Sequence, residues 1–121
     1  MAKWVNTSVL DAALDKINTA NNMSACSNQP ANRTDAVTTM MLSIQVMAGG
    51  DFTKAAGDTN GRKTTVAQKT GVSVTNNGTA NHVALTDAGN LLYVTTATAQ
   101  ALTAGNTMTF NAWKVEFADP T

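Results

Sequence analysis

Apolar residues follow two different periods along this chain. At Leu10, Ala13, Leu14 and Ile17 they recur at i, i+3, i+4 and i+7, which predicts an amphipathic helix over Ser8–Thr19 with one apolar stripe. Two starts are open. Asn6 can cap with Val5 and Leu10 as a hydrophobic staple, or Ser8 can cap with Asp11 three residues on. Asn21-Asn22 end the pattern. From there the period falls to two, and the helix gives way to short strand patterns. Met23–Ser27, Met41–Met47, Asp51–Ala55, Arg62–Lys69, Val72–Val74, His82–Thr86 and Leu91–Thr96 read as strands. Near the end Met108 and Phe110 face one way while Thr107 and Thr109 face the other. Trp113, Val115 and Phe117 then alternate with Lys114 and Glu116.

Turn residues divide these strands. Asn60-Gly61 is the dipeptide of a type I′ hairpin, in which both central residues need positive φ. Asn76-Asn-Gly78 and Gly105-Asn106 mark further turns, and Asp87-Ala-Gly-Asn90 joins His82–Thr86 to Leu91–Thr96. Asn28-Gln-Pro-Ala-Asn-Arg-Thr-Asp35 reads as an exposed loop, because Pro30 excludes regular structure. Residues 36–47 are compatible with strand or helix, and the reading adopted is a loop leading into a strand near Met41. Asp119-Pro120-Thr121 is a frayed end.

Strands at this spacing predict a mainly β fold: a β-sandwich or open barrel of short antiparallel strands with one N-terminal amphipathic helix. The threonines are expected on solvated sheet faces, where β-branching helps and charge is not needed. The 121 residues form a single domain, with an arm and helix over 1–22 and a β domain over 23–121.

Aromatics are sparse, namely Trp4, Phe52, Tyr93, Phe110, Trp113 and Phe117, so aliphatic and methionine side chains must build most of the core. Eight basic residues balance eight acidic ones, and the densest basic cluster is Arg62-Lys63. Phosphate neutralisation supplies most of a nucleic-acid binder's affinity, so neither nucleic acid nor an anionic membrane is an expected partner. No apolar run spans a bilayer, and the N-terminal residues lack the apolar region of a signal peptide, so synthesis without export is expected. The Asn-x-Ser/Thr sites at Asn22, Asn32 and Asn77 then read as chance matches in a threonine-rich chain.

Groups for chemistry are few. Cys26 stands alone, in a Ser-Ala-Cys-Ser strand where it reads as a small apolar residue. His82 lies on the strand face opposite Val83 and Leu85 and reads as exposed or hydrogen-bonded. One His and one Cys cannot cage zinc. Asp58-Thr-Asn-Gly lacks the later ligands of a calcium loop. Gly57-x-x-x-Gly61-Arg-Lys falls one residue short of the phosphate-loop spacing and precedes a strand instead of a helix. The expectation is no enzyme, no catalytic residues, no metal and no cofactor.

The opening Met1-Ala-Lys-Trp-Val-Asn-Thr-Ser-Val-Leu-Asp-Ala-Ala-Leu-Asp-Lys-Ile17 and the following Cys26-Ser-x-Gln-Pro30 resemble a family of small tailed-bacteriophage virion proteins. Gly50-Asp-Phe-Thr53, Gly57-Asp-Thr-Asn-Gly-Arg-Lys63, His82-Val-Ala-Leu85, Leu91-Leu-Tyr-Val-Thr95 and Ala112-Trp113 continue the resemblance in order over most of the chain. The resemblance implies a structural place in the virion, assembled in the bacterial cytoplasm, and carries no catalytic residues with it. A capsid decoration or cement protein leads, with the major capsid protein or other virion subunits as partners and a homo-oligomer expected. A tail, neck or baseplate component is the alternative, and a host- or glycan-binding module a further one. Trp4 and Val5 are the candidate partner interface, as a docking arm ahead of the helix. The competing role for Trp4 is to staple the helix onto the sheet. Trp113 is expected in the core.

Overall fold

The structure is a computed structural model and describes residues 3–120. Met1, Ala2 and Thr121, which open the arm and close the frayed end, lie outside these residues. Helix α1 runs Thr7–Ile17, and Asn6 is the cap that is used: its side chain accepts from the Ser8 N–H at 2.8 Å. That bond satisfies an amide left without a partner at the start of the helix. Leu14 and Ile17 are buried as expected, but Ala13 is exposed. The helix turns Asp11 and Asn18 toward the body instead, where both bond to strand residues, and this rotates the contact stripe off Ala13.

Among the described residues nine strands follow: β1 Asn22–Cys26, β2 Met41–Val46, β3 Phe52–Ala56, β4 Arg62–Val66, β5 Lys69–Ser73, β6 Gly78–Thr86, β7 Leu91–Leu102, β8 Thr107–Phe110 and β9 Trp113–Phe117. All pair antiparallel, in a four-stranded sheet ordered β2-β1-β6-β7, a three-stranded sheet β3-β4-β9 and the pair β5-β8. With 48% strand and 18% helix the fold is mainly β, and no closed barrel forms among the described residues. One apolar core joins every layer. Met23 and Leu85 come from the first sheet, Val66 and Val115 from the second, Val72 and Phe110 from the pair, and Leu14 and Ile17 from α1. Trp113 packs against this core, its Nε1 donating to Met23 Sδ at 3.5 Å and its ring stacked 6.0 Å from Tyr93.

β1 departs from simple alternation, since Met23, Ser24, Ala25 and Cys26 are all buried. The reason is a second layer on its other face, where Cys26, Ala36 and Ala84 form a small cluster flanked by Met40, Leu91 and Val94. The expected exposed loop supplies part of this cover. Pro30 is buried, and a single π-helical turn over Asp35–Thr39, closed by Met40 N–H to Asp35 O at 2.8 Å, carries Ala36 under Cys26. Residues 36–47 thus hold both a helical turn and, from Met41, the expected strand.

Three further expectations are corrected. The strand from Arg62 ends at Val66, where Ala67 N–H bonds to Asp51 O, and Lys69 opens a separate strand. Gly61 has φ of 72° while Asn60 does not have positive φ, so the β3–β4 connection is not type I′. It is a wider loop closed by Gly57 N–H to Gly61 O at 2.9 Å, and Asn60 Oδ1 accepts instead from Asp119 N–H. Finally, Thr64 and Thr86 are fully buried, the Thr64 hydroxyl donating to Asn18 Oδ1 at 2.9 Å.

Candidate interaction site

The arm that precedes α1 has no regular structure over residues 3–6, and within it the two candidate residues part company. Val5 is half-buried, at the position that a staple to Leu10 requires, and Leu10 is half-buried with it. Trp4 is 79% exposed, so its ring is not a staple onto the sheet. The root of the arm is held firmly. Asp11 pairs with Arg62 at 2.8 Å, Asp15 with Lys54 at 2.5 Å and Lys16 with Asp87 at 3.7 Å. Together with Thr64–Asn18 these tie α1 to β3, β4 and the β6–β7 turn. A tryptophan on a short arm beside a clamped helix is well placed to act as an aromatic anchor for another surface. Val9, on the same end of the helix, is 58% exposed and extends the apolar tip.

A second feature was not foreseen from the sequence. An open cleft of about 810 Å³ lies between β7 and β8–β9, with Ala25, Val83, Phe110 and Trp113 among its apolar lining. Lys63 and Lys114 stand on its rim. Both are already neutralised, Lys63 by Asp58 at 2.5 Å and Lys114 by Asp58 and Glu116. The cleft therefore offers a mixed surface, in which apolar side chains alternate with threonines, Gln100 and Asn111, and both of its lysines are already paired. Its lining comes from six strands, and no local signal in the sequence marked it; Trp113, expected in the core, both packs on the core and lines the cleft.

Cys26 and His82 become register partners across β1 and β6. Their polar atoms nevertheless engage other groups. Cys26 Sγ lies 3.8 Å from Ser24 Oγ and 3.7 Å from Ala36 O, whereas His82 Nδ1 lies 2.6 Å from Asn81 Oδ1. Burial pushes the Cys26 thiol above its ordinary pKa, which disfavours the thiolate that nucleophilic chemistry needs. Among the described residues no group of three His, Cys, Asp or Glu side chains is placed to hold a metal ion, and no helix is long and apolar enough to cross a membrane.

Together these features define a class: a mainly β, antiparallel protein with one clamped N-terminal helix, an exposed aromatic residue on the arm before it and an open cleft of mixed polarity. Comparison of the chain with protein-family models, with curated proteins and with solved structures gave no match in any of the three.

Proposed function

We propose that this chain is a structural protein of a tailed-phage virion, most simply a capsid decoration subunit. On this reading it stabilises the head lattice, docks on the major capsid protein or another virion subunit through Trp4, and performs no catalysis. The observation that carries the proposal is the exposure of Trp4 ahead of a helix fixed to the body by three ion pairs. A rigidly rooted anchor loses little freedom on binding, so more of its burial appears as affinity. The resemblance of its ordered motifs to small phage virion proteins supports the same reading, as does a formal charge of zero, which lets many copies sit side by side without mutual repulsion.

A tail, neck or baseplate component is the second reading, in which head-to-tail contacts would close a ring of subunits. Quantitative mass spectrometry of separated heads and tails, from virions of the phage that encodes the chain, decides between them. A copy number tracking the major capsid protein in heads is expected. Copies confined to tails or necks would transfer the assignment to the second reading, and absence from both fractions would end the virion proposal.

A further inference from the structure

The strand edges of this molecule are protected unequally. A row of unpaired backbone amides and carbonyls at a sheet edge invites a foreign strand, and proteins guard such edges with charge, short length or a covering segment. The edge of β3 carries Lys54, that of β5 Lys69, and that of β9 both Lys114 and Glu116. β8 is four residues long. Half of the β2 edge is covered: Leu42 O accepts from the Thr75 and Asn76 amides, Met41 O accepts from Asn76 Nδ2, and Ser43 bridges Val74, which leaves only the short stretch Ile44–Val46 open.

β7 has none of these protections. It is the longest strand, at 12 residues, it closes one side of the four-stranded sheet, and its ladder partners all lie in β6. From Leu91 to Leu102 it contains no Asp, Glu, Lys, Arg or Pro. Residues 96–101 are all exposed; one face of this half looks across the open cleft toward β8 and β9, and no element lies against its edge. Pairing with β6 is also interrupted there. His82 faces Thr96 and Ala80 faces Gln100, which leaves Ala97, Thr98 and Ala99 opposite Asn81 alone and adds main-chain groups without a ladder partner.

We infer that β7 is an assembly edge, on which β7 of a second copy of this chain pairs antiparallel about a two-fold axis. The absence of charge selects this occupant. An edge of one sign would attract a strand of the other, whereas an uncharged edge meets its own copy with no like charges opposed. Threonine, alanine and glutamine across the axis are compatible with the close side-chain spacing of an added strand. Such a contact is isologous and closes at two, unlike the head-to-tail contact that a ring requires. The inference goes beyond the virion reading and does not rest on it, because copy number in particles tests that reading separately.

The test is the mass of the purified full chain by light scattering on a sizing column, for the wild type and for Thr98→Lys and Thr98→Glu. The wild type is expected at twice 12.6 kDa, and each variant alone at 12.6 kDa with an unchanged far-ultraviolet circular dichroism spectrum. An equal mixture of the two variants should return to the dimer mass, because opposite charges then face each other across the axis. Thr96→Lys and Thr96→Glu replace this pair if either Thr98 variant loses the native spectrum. Trp4→Ala should remain a dimer. A monomeric wild type would mean that the bulge alone guards the edge, and the inference would be wrong. It would be equally overturned by variants that stay dimeric, by a mixture that stays monomeric, or by a Trp4→Ala variant that dissociates.

Discussion

Arg62 Nε donates to Asp11 Oδ1 at 2.8 Å, joining β4 to α1 across 51 positions of sequence with both side chains only 25% exposed. This pair, with Lys54–Asp15 beside it, explains why a helix with only two buried apolar residues stays on the body. A double-mutant cycle of Asp11→Ala and Arg62→Ala, followed by urea denaturation, should return a coupling of about 1 kcal/mol, the upper range for a partly exposed charged hydrogen bond. Adding salt should shrink that coupling. A coupling indistinguishable from zero would mean that the Asp11–Arg62 pair adds nothing to the docking of the helix.

Trp4 and Leu14 lie ten positions apart and should behave oppositely. Leu14 is fully buried, so Leu14→Ala is expected to cost about 2–5 kcal/mol through lost transfer energy and the cavity left behind. Trp4→Ala should change stability by no more than about 0.5 kcal/mol, as expected for an exposed side chain. Thermal denaturation of both variants tests this directly. If Trp4→Ala unfolds the domain, the arm is structural and its docking role is refuted.

Gly61 should be irreplaceable while Gly89 is not. At Gly61 φ is 72° and an added Cβ would fall 2.0 Å from Phe117 O, so Gly61→Ala must both strain its own backbone and displace β9. A loss above about 1 kcal/mol is expected. Gly89 has nothing within 4 Å of the added carbon, and Gly89→Ala should be near neutral. Equal stability of the two variants in chemical denaturation would contradict the geometry.

Acid should destabilise the fold partly through Asp51. The hydrogen bond from Lys69 (Nζ to Oδ1, 2.7 Å), followed by the Ala48 amide, holds its carboxyl below the usual range. A depressed folded pKa means that the unfolded chain binds the proton first. The contribution is therefore complete above the unfolded value of about 4 and disappears as pH falls through the folded value. Unfolding free energy measured between neutral and acid pH should fall less steeply for Asp51→Asn than for the wild type. Parallel slopes would count against the Asp51–Lys69 pair.

The Cys26 thiol should resist modification until the protein opens. It is fully buried, and burial raises its pKa. A disulfide reagent at mildly alkaline pH should label the native protein slowly, at a rate set by opening of the 27–40 cover, and the urea-unfolded protein at once. The raised pKa also means that its share of stability is complete below the unfolded thiol's value and is lost as pH rises toward the folded one. Rapid labelling of the native protein would show that the second cluster is open.

Elements set by neighbours in sequence were legible without coordinates. The hairpin linking His82–Thr86 to Leu91–Thr96 and the alternation through Trp113, Val115 and Phe117 follow from local geometry and are present, and of the two helix starts left open the structure uses the Asn6 cap. The mainly β class follows from the same signals. Where the sequence misled, a distant partner had overridden a local preference. Asn60-Gly61 suits a type I′ turn, but Asn60 is recruited by Asp119 and the loop widens. Ala13 has helical spacing for the core, yet Arg62 and Thr64 attract Asp11 and Asn18 and turn it outward.

The threonines and the interaction surfaces belong to that second category as well. Period two assigns alternate residues to opposite faces of a strand but does not say which faces are covered. Thr64 is buried because α1 lies over it, and Ser24 and Cys26 because the 27–40 segment folds back over β1. The exposure of β7 arises the same way, since a strand becomes an edge only when the sheet order β2-β1-β6-β7 ends with it. Short-range chemistry wrote the helix, the strands and most turns into the sequence. Which faces meet, which edge is left open and where Trp4 projects were decided by contacts between residues far apart in the chain, and those exist only once the tertiary structure has closed.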